Sequence, residues 1–84
     1  MSVAQDAEDR IRALKEFYGG ALNEGPTTVG GKPAYSLVLS FDKPVNADPE
    51  ARREMLRILG GHGLSPEITS CADRVTDAKV TYFI

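Results

Sequence analysis

Three pairs of adjacent glycines, Gly19-Gly20, Gly30-Gly31 and Gly60-Gly61, divide this chain into short segments. Paired glycines disfavour the interior of a helix or strand, because glycine loses more backbone entropy on ordering than other residues do. They are typical of helix ends and tight turns. The pairs therefore argue against any long helix, and 84 residues predict one small α+β domain spanning residues 1–84.

The segment before the first glycine pair is predicted to be a helix. Ser2 followed by Gln5 matches a capping box. Apolar residues then recur at spacings of three and four, as they do on one face of a helix. These residues are Ala4, Ala7, Ile11, Leu14 and Tyr18, with Phe17 alongside.

A second helix is predicted to begin at Asp48-Pro49-Glu50. An Asp N-cap, proline at the first helical position and an acid in the first turn are all favoured at a helix start. Gly60-Gly61 is expected to end it. Its apolar face carries Ala51, Met55, Ile58 and Leu59.

Strands are predicted where polar and apolar residues alternate. In residues 35–41 the larger apolar side chains alternate with Ser36, Val38 and Ser40, and the buried face is expected to carry Tyr35, Leu37, Leu39 and Phe41. Residues 78–84 form a second strand, and residues 67–72 a more weakly patterned third. Residues 21–33 are rich in glycine and proline and are expected to form a loop, with a short extra strand near 27–30 as an open alternative. A hairpin that turns at Gly30-Gly31 is disfavoured because Pro33 lacks the N–H that a strand ladder needs.

The predicted element order is therefore α-β-α-β-β. A right-handed crossover through the second helix makes the sheet mixed, and both helices fit on one of its faces. The fold class expected is α+β, a two-layer sandwich in which two helices pack on one face of a small mixed three-stranded sheet.

Composition removes several function classes. Ten Lys and Arg stand against twelve Asp and Glu, and the chain has one Cys and one His. A disulfide framework needs more cysteines, and a zinc site needs more soft ligands, so no metal or cofactor is expected. The first residues carry acids where a secretory signal carries positive charge, and no apolar run could span a membrane. We expect a soluble, cytoplasmic protein that does not contact membranes.

The leading functional hypothesis places a binding surface on the sheet face that two helices leave uncovered. Its predicted members share one strand face, and they are Val38, Ser40, Lys79, Thr81 and Phe83. A polar face with a few apolar anchors suits a protein partner. The chain also ends within a predicted strand, so Ile84 is expected at an edge open to strand addition.

This hypothesis describes a small non-enzymatic protein-binding module, which acts through an open sheet face and an edge strand. An adaptor, a regulatory or assembly factor, and a compact inhibitor of the phage type all fit. The partner is another protein or a second copy of the chain, as in a homodimer.

Two alternatives remain. A nucleic-acid-associated domain would use the arginine-bearing second helix, and its contact residues would be Lys43, Arg52, Arg53 and Arg57. Acids interleaved with these bases argue against nucleic acid as the partner. A small-ligand or thiol-dependent enzyme would depend on Cys71, with His62 as its base. His62 lies among glycines, a poor position for a fixed base.

Overall fold

The computed structural model describes residues 2–46 and 48–84. Its strands form one four-stranded sheet in the order β1-β2-β4-β3, and every neighbouring pair is antiparallel. The α+β class is confirmed, whereas the predicted α-β-α-β-β order and the mixed three-stranded sheet are wrong. In chain order the elements are α1 (Val3–Tyr18), β1 (Ala21–Val29), β2 (Lys32–Asn46), α2 (Pro49–Leu59), β3 (Ser65–Cys71) and β4 (Arg74–Phe83).

The sequence prediction missed β1, which occupies most of the expected loop. Gly30 and Gly31 have φ angles of 59° and 79°, the left-handed conformation that a two-residue hairpin turn requires. Pro33 has no N–H, which would cost the hairpin a hydrogen bond if its backbone faced β1. The Pro33 carbonyl, however, accepts a hydrogen bond from the Ile84 amide at 3.2 Å, so the backbone of Pro33 is directed toward β4. The hairpin with β1 therefore loses no hydrogen bond at Pro33.

The sheet order also corrects the predicted edge. β4 lies between β2 and β3, so the strand that leads to Ile84 is interior, and the expectation of a C-terminal edge is wrong. The edges are β1 and β3. The α-β-β unit occurs twice, and exchanging its two copies leaves the strand order unchanged, although the sequence shows no repeat.

Both predicted helices are confirmed, with their N-caps. The Ser2 hydroxyl accepts a hydrogen bond from the Gln5 amide at 3.0 Å, and the Asp48 carboxylate accepts one from the Ala51 amide at 2.8 Å. The Gln5 side chain donates to Asp9 instead of completing the capping box. Two residues depart from the predicted apolar face: Ala4 is exposed, and Phe17 is 80% exposed.

Arg10 joins the two helices. Its guanidinium donates to the Ile58 carbonyl at 2.9 Å and to the Gly60 carbonyl at 3.3 Å. Carbonyls at the end of a helix have no partner within the helix, so a cation there satisfies them and complements the helix dipole. Asp6 lies 3.1 Å from Arg10 Nε and orients it.

One hydrophobic core lies between the helices and the sheet. Tyr35, Leu37, Leu39 and Phe41 all pack in or against it, as their alternation predicts. Its fully buried large side chains are Ile11, Leu14, Leu37, Leu39, Met55, Leu59, Val75 and Val80. Both helices contact this side of the sheet, and no described element packs on the other side.

Candidate functional site

We call the uncovered side of the sheet the open face. It is built from alternate residues of all four strands, whose side chains point away from the helices. All five predicted partner-binding residues lie on it, on the adjacent interior strands β2 and β4. Its members are Ala21, Asn23, Gly25, Thr27 and Val29 of β1, Lys32, Ala34, Ser36, Val38 and Ser40 of β2, Asp77, Lys79, Thr81 and Phe83 of β4, and Ser65, Glu67 and Thr69 of β3.

The register brings the predicted residues into cross-strand rows. Val38 pairs with Lys79, and Ser40 pairs with Asp77. Thr81 pairs with Ser36, and these two small side chains form the row between Val38 and the end of β4. Directly opposite side chains in an antiparallel pair lie close enough to form one contact surface.

Two shallow depressions lie side by side on the open face, one of about 240 Å³ on β1 and β2 and one of about 160 Å³ mainly on β3 and β4. Ser36 lines the first and its cross-strand partner Thr81 lines the second, and we call the two depressions together the trough. The four residues of its floor lie in one row across the sheet, because their pairings are consecutive. The floor residues are Gly25, Ser36, Thr81 and Ser65.

The trough lies between two walls of larger side chains. One wall carries Thr27, Val29 and Phe83, and Phe83, which is 56% exposed, is its largest apolar group. Ala34, which pairs with Phe83, is fully buried between them, although it belongs to the open face. The other wall carries Asn23, Val38, Lys79 and Glu67.

The charged side chains of the open face differ in whether they have a hydrogen-bond or ion-pair partner. The Asp77 carboxylate accepts hydrogen bonds from the Ser40 and Thr76 hydroxyls, each at 2.8 Å. Lys79 lies half-buried on an interior strand, and among the described residues no carboxylate comes within ion-pair distance of it. Glu67, its cross-strand neighbour, is exposed on the edge strand β3. Lys79 is therefore the cation most available to a ligand in the trough.

Both sheet edges carry a proline where a hydrogen-bond donor would face outward. Because backbone groups alternate in direction along a strand, the Ile84–Pro33 hydrogen bond fixes which residues face which neighbour. By that alternation Pro26 of β1 and Pro66 of β3 direct their backbone away from the sheet. Neither can donate there, which weakens strand addition at both edges.

The predicted nucleic-acid residues do not form a free basic patch. Arg57 makes an ion pair with Glu54, and this hydrogen bond lowers the pKa of the Glu54 carboxyl and raises that of Arg57. Arg52 is half-buried, as its position at the rim of the apolar face predicts, whereas Arg53 is exposed. Lys43 lies on a different element, in the exposed part of β2 beyond Phe41.

The structure separates the two residues of the proposed thiol site. His62 lies just before β3 and Cys71 ends it, so roughly 20 Å of extended strand lies between them. Both side chains are exposed. His62 instead lines a depression of about 330 Å³ with Ser2, Val3 and Asp6. No cluster of metal-ligating side chains occurs among residues 2–46 and 48–84.

Sequence reasoning assigned open-face residues on the interior strands only: it predicted a strand over residues 67–72 without assigning its face, and it missed β1. The available signal was the alternation in β3, where Ser65, Glu67 and Thr69 flank Pro66 and Ile68. In β1 the corresponding signal is masked by Gly25 and Pro26, which predict a loop.

No protein-family model, curated protein or solved structure matches this chain. Neither of the described helices is both long enough and apolar enough to cross a membrane.

Proposed function

We propose that this protein is a small non-enzymatic binding module whose open face contacts another protein. The observation that supports the proposal most is the trough, because a concave feature bordered by an exposed aromatic ring is typical of the centre of a protein interface. The face mixes apolar, hydroxyl and charged side chains, as protein interfaces do. An adaptor, a regulatory or assembly factor and a compact inhibitor remain alternatives within this class.

The sheet edges contribute less than the sequence suggested. Pro26 and Pro66 each remove an outward donor, so an added strand would lose main-chain hydrogen bonds at both edges. We therefore place the contact on the face alone.

A substitution pair tests the proposal. Phe83→Lys replaces an exposed ring on the trough wall with a charged side chain. Phe17→Lys is the matched control, because it makes the same change at an exposed ring of α1, on the helix side of the protein. Proteins captured from a lysate of the source organism are compared by mass spectrometry for wild type and both variants. A partner that Phe83→Lys loses and Phe17→Lys keeps supports the proposal. If every captured protein survives Phe83→Lys, the open face is not the binding surface.

A further inference from the structure

We propose that the trough binds an extended segment of the partner polypeptide, and that this segment places an acidic side chain against Lys79. The inference rests on the proposed function and specifies the form of the partner. A folded partner surface and a second copy of this chain are the competing occupants.

The length of the trough matches a short extended peptide. Its floor crosses four strands, from Gly25 on β1 to Ser65 on β3. Neighbouring strands lie about 4.8 Å apart, so the floor is roughly 14 Å long between the outer strand axes and roughly 19 Å in all. An extended chain advances about 3.3 Å per residue, so five or six residues, as an order-of-magnitude figure, fill it.

The width of the trough excludes a helix from its floor. Lys79 and Phe83 stand four residues apart on β4, one on each wall, which separates their Cα atoms by roughly 13 Å. Side chains from both walls occupy part of that span. A helix with its side chains is about 10–12 Å across and rests on the walls, whereas a single extended chain reaches the floor.

A second copy of the chain does not fill the trough. A copy centred on the same face meets trough with trough, because a twofold axis applies the same surface to both molecules. The two hydroxyl-lined floors would enclose an unfilled channel, which forfeits packing contacts.

Charge selects the character of the peptide. Lys79 is half-buried at the middle of one wall and has no ion-pair partner within the described part of the chain. Asp77 is already satisfied by two hydroxyls, and Glu67 stands in water at the edge strand. A carboxylate of the peptide therefore gains an ion-pair partner at Lys79, whereas a cation at the same position would be repelled by it.

The remaining surfaces supply main-chain and apolar contacts. The hydroxyls of Ser36, Ser65 and Thr81 make no side-chain hydrogen bond to any described residue, so they are free to donate to peptide carbonyls and accept from peptide amides. The depression of about 160 Å³ beside Phe83 has room for one apolar side chain.

Random peptides of about twelve residues, roughly twice the length of the trough, provide the probe. Displayed peptides are selected on immobilised wild-type protein, and individual fluorescein-labelled peptides are then titrated by fluorescence anisotropy. We expect selected peptides to combine Asp or Glu with one large apolar residue, and to bind more weakly as salt concentration rises.

Gly25→Leu is the decisive variant. A Cβ added at Gly25 meets no atom within 4 Å, so the new side chain stands in the trough without disturbing the strand. Ala21→Leu is its matched control, since Ala21 lies on the same strand and face but outside the trough. We expect Gly25→Leu to weaken binding about tenfold or more, and Ala21→Leu to change it by less than about twofold.

Two further variants test the charge. Lys79→Gln is expected to weaken the binding of acidic peptides about threefold to tenfold, and Glu67→Gln is expected to strengthen their binding about twofold. Circular dichroism confirms that each variant is folded, and Ser36→Leu replaces Gly25→Leu if that variant is not.

Three results would overturn the inference. The selection yields no binding peptide; the selected peptides bind Gly25→Leu as well as wild type; or the selected peptides lack Asp and Glu and their binding is unchanged by Lys79→Gln. If the inference fails while Phe83→Lys still abolishes capture of a protein, the open face binds a folded surface and the proposed function stands. If both fail, the proposed function fails as well.

Discussion

Replacing Gly20 with alanine tests how closely β2 approaches the junction between α1 and β1. Gly20 has a φ angle of 128°, which side chains other than hydrogen rarely allow. Its added Cβ would fall inside the contact distance of the Ser40 carbonyl oxygen and 3.1 Å from Phe41 Cα. Both neighbours are backbone atoms of an interior strand, so neither can swing aside.

The expected cost of Gly20→Ala has two parts. Holding alanine at this φ costs about 1–3 kcal/mol, and relieving the collision with β2 costs about 1–3 kcal/mol more. The sum, roughly 2–6 kcal/mol, is a large share of the roughly 4–12 kcal/mol expected for a chain of this length. Gly30→Ala separates the two parts, because Gly30 also has a positive φ, 59°, but a Cβ there meets nothing within 4 Å. It should cost only about 1–2 kcal/mol.

Urea unfolding followed by far-ultraviolet circular dichroism measures both variants. With a slope of about 1 kcal/mol per molar urea, Gly30→Ala should lower the midpoint by about 1–2 M and Gly20→Ala by clearly more. If Gly20→Ala is already unfolded in water, loss of its near-ultraviolet signal and rapid proteolysis give the same answer. Equal midpoints for the two variants would refute the argument, because they would mean that β2 yields to the added methyl group.

Three further predictions concern other parts of the fold. Arg10→Leu should lower the free energy of unfolding by about 1–2 kcal/mol, since it leaves helix-end carbonyls unsatisfied, and an unchanged urea midpoint would contradict that role. The hydrogen bond from the Tyr35 hydroxyl to Glu24 at 3.0 Å is the main cause that raises the pKa of Tyr35. Its stabilising contribution is therefore complete below pH 10 and is lost as pH rises through the pKa of the folded state. Glu24→Ala should move the Tyr35 midpoint down toward 10 in an absorbance titration at alkaline pH, and no movement would exclude this hydrogen bond as the cause. Pro26→Thr restores an outward N–H on β1 and should increase self-association in sedimentation velocity, whereas a variant that stays monomeric would show that the proline does not protect the edge.

The helices could be predicted because their signals are local. Ser2 and Asp48 cap their own helices, and the apolar spacing in each helix fixes which face is buried. The alternation in residues 35–41 likewise determined which side of β2 faces the core, since side-chain direction in a strand has a period of two. Each of these features depends on residues within a few positions of one another.

The strand order could not be predicted in the same way. Pro33 argued against a hairpin until its backbone proved to face β4, and that fact depends on a residue at the other end of the chain, Ile84. The interior position of β4 also follows only from pairing, because its alternation would suit an edge equally well.

The candidate site likewise has a part that the sequence determined and a part that depends on tertiary structure. Alternation by itself determined that Val38 and Ser40 share one face of their strand and that Lys79, Thr81 and Phe83 share one face of theirs, and composition determined that the chain has few residues suited to metal or acid–base chemistry. The pairing of β2 with β4, which joins these residues into one surface, came from the tertiary structure. Only the tertiary structure placed Gly25 and Ser65 in one row with Ser36 and Thr81, and so formed the trough. The physical reason is that the direction of a side chain is set within its own strand, whereas register and neighbours are set by backbone hydrogen bonds between strands far apart in sequence.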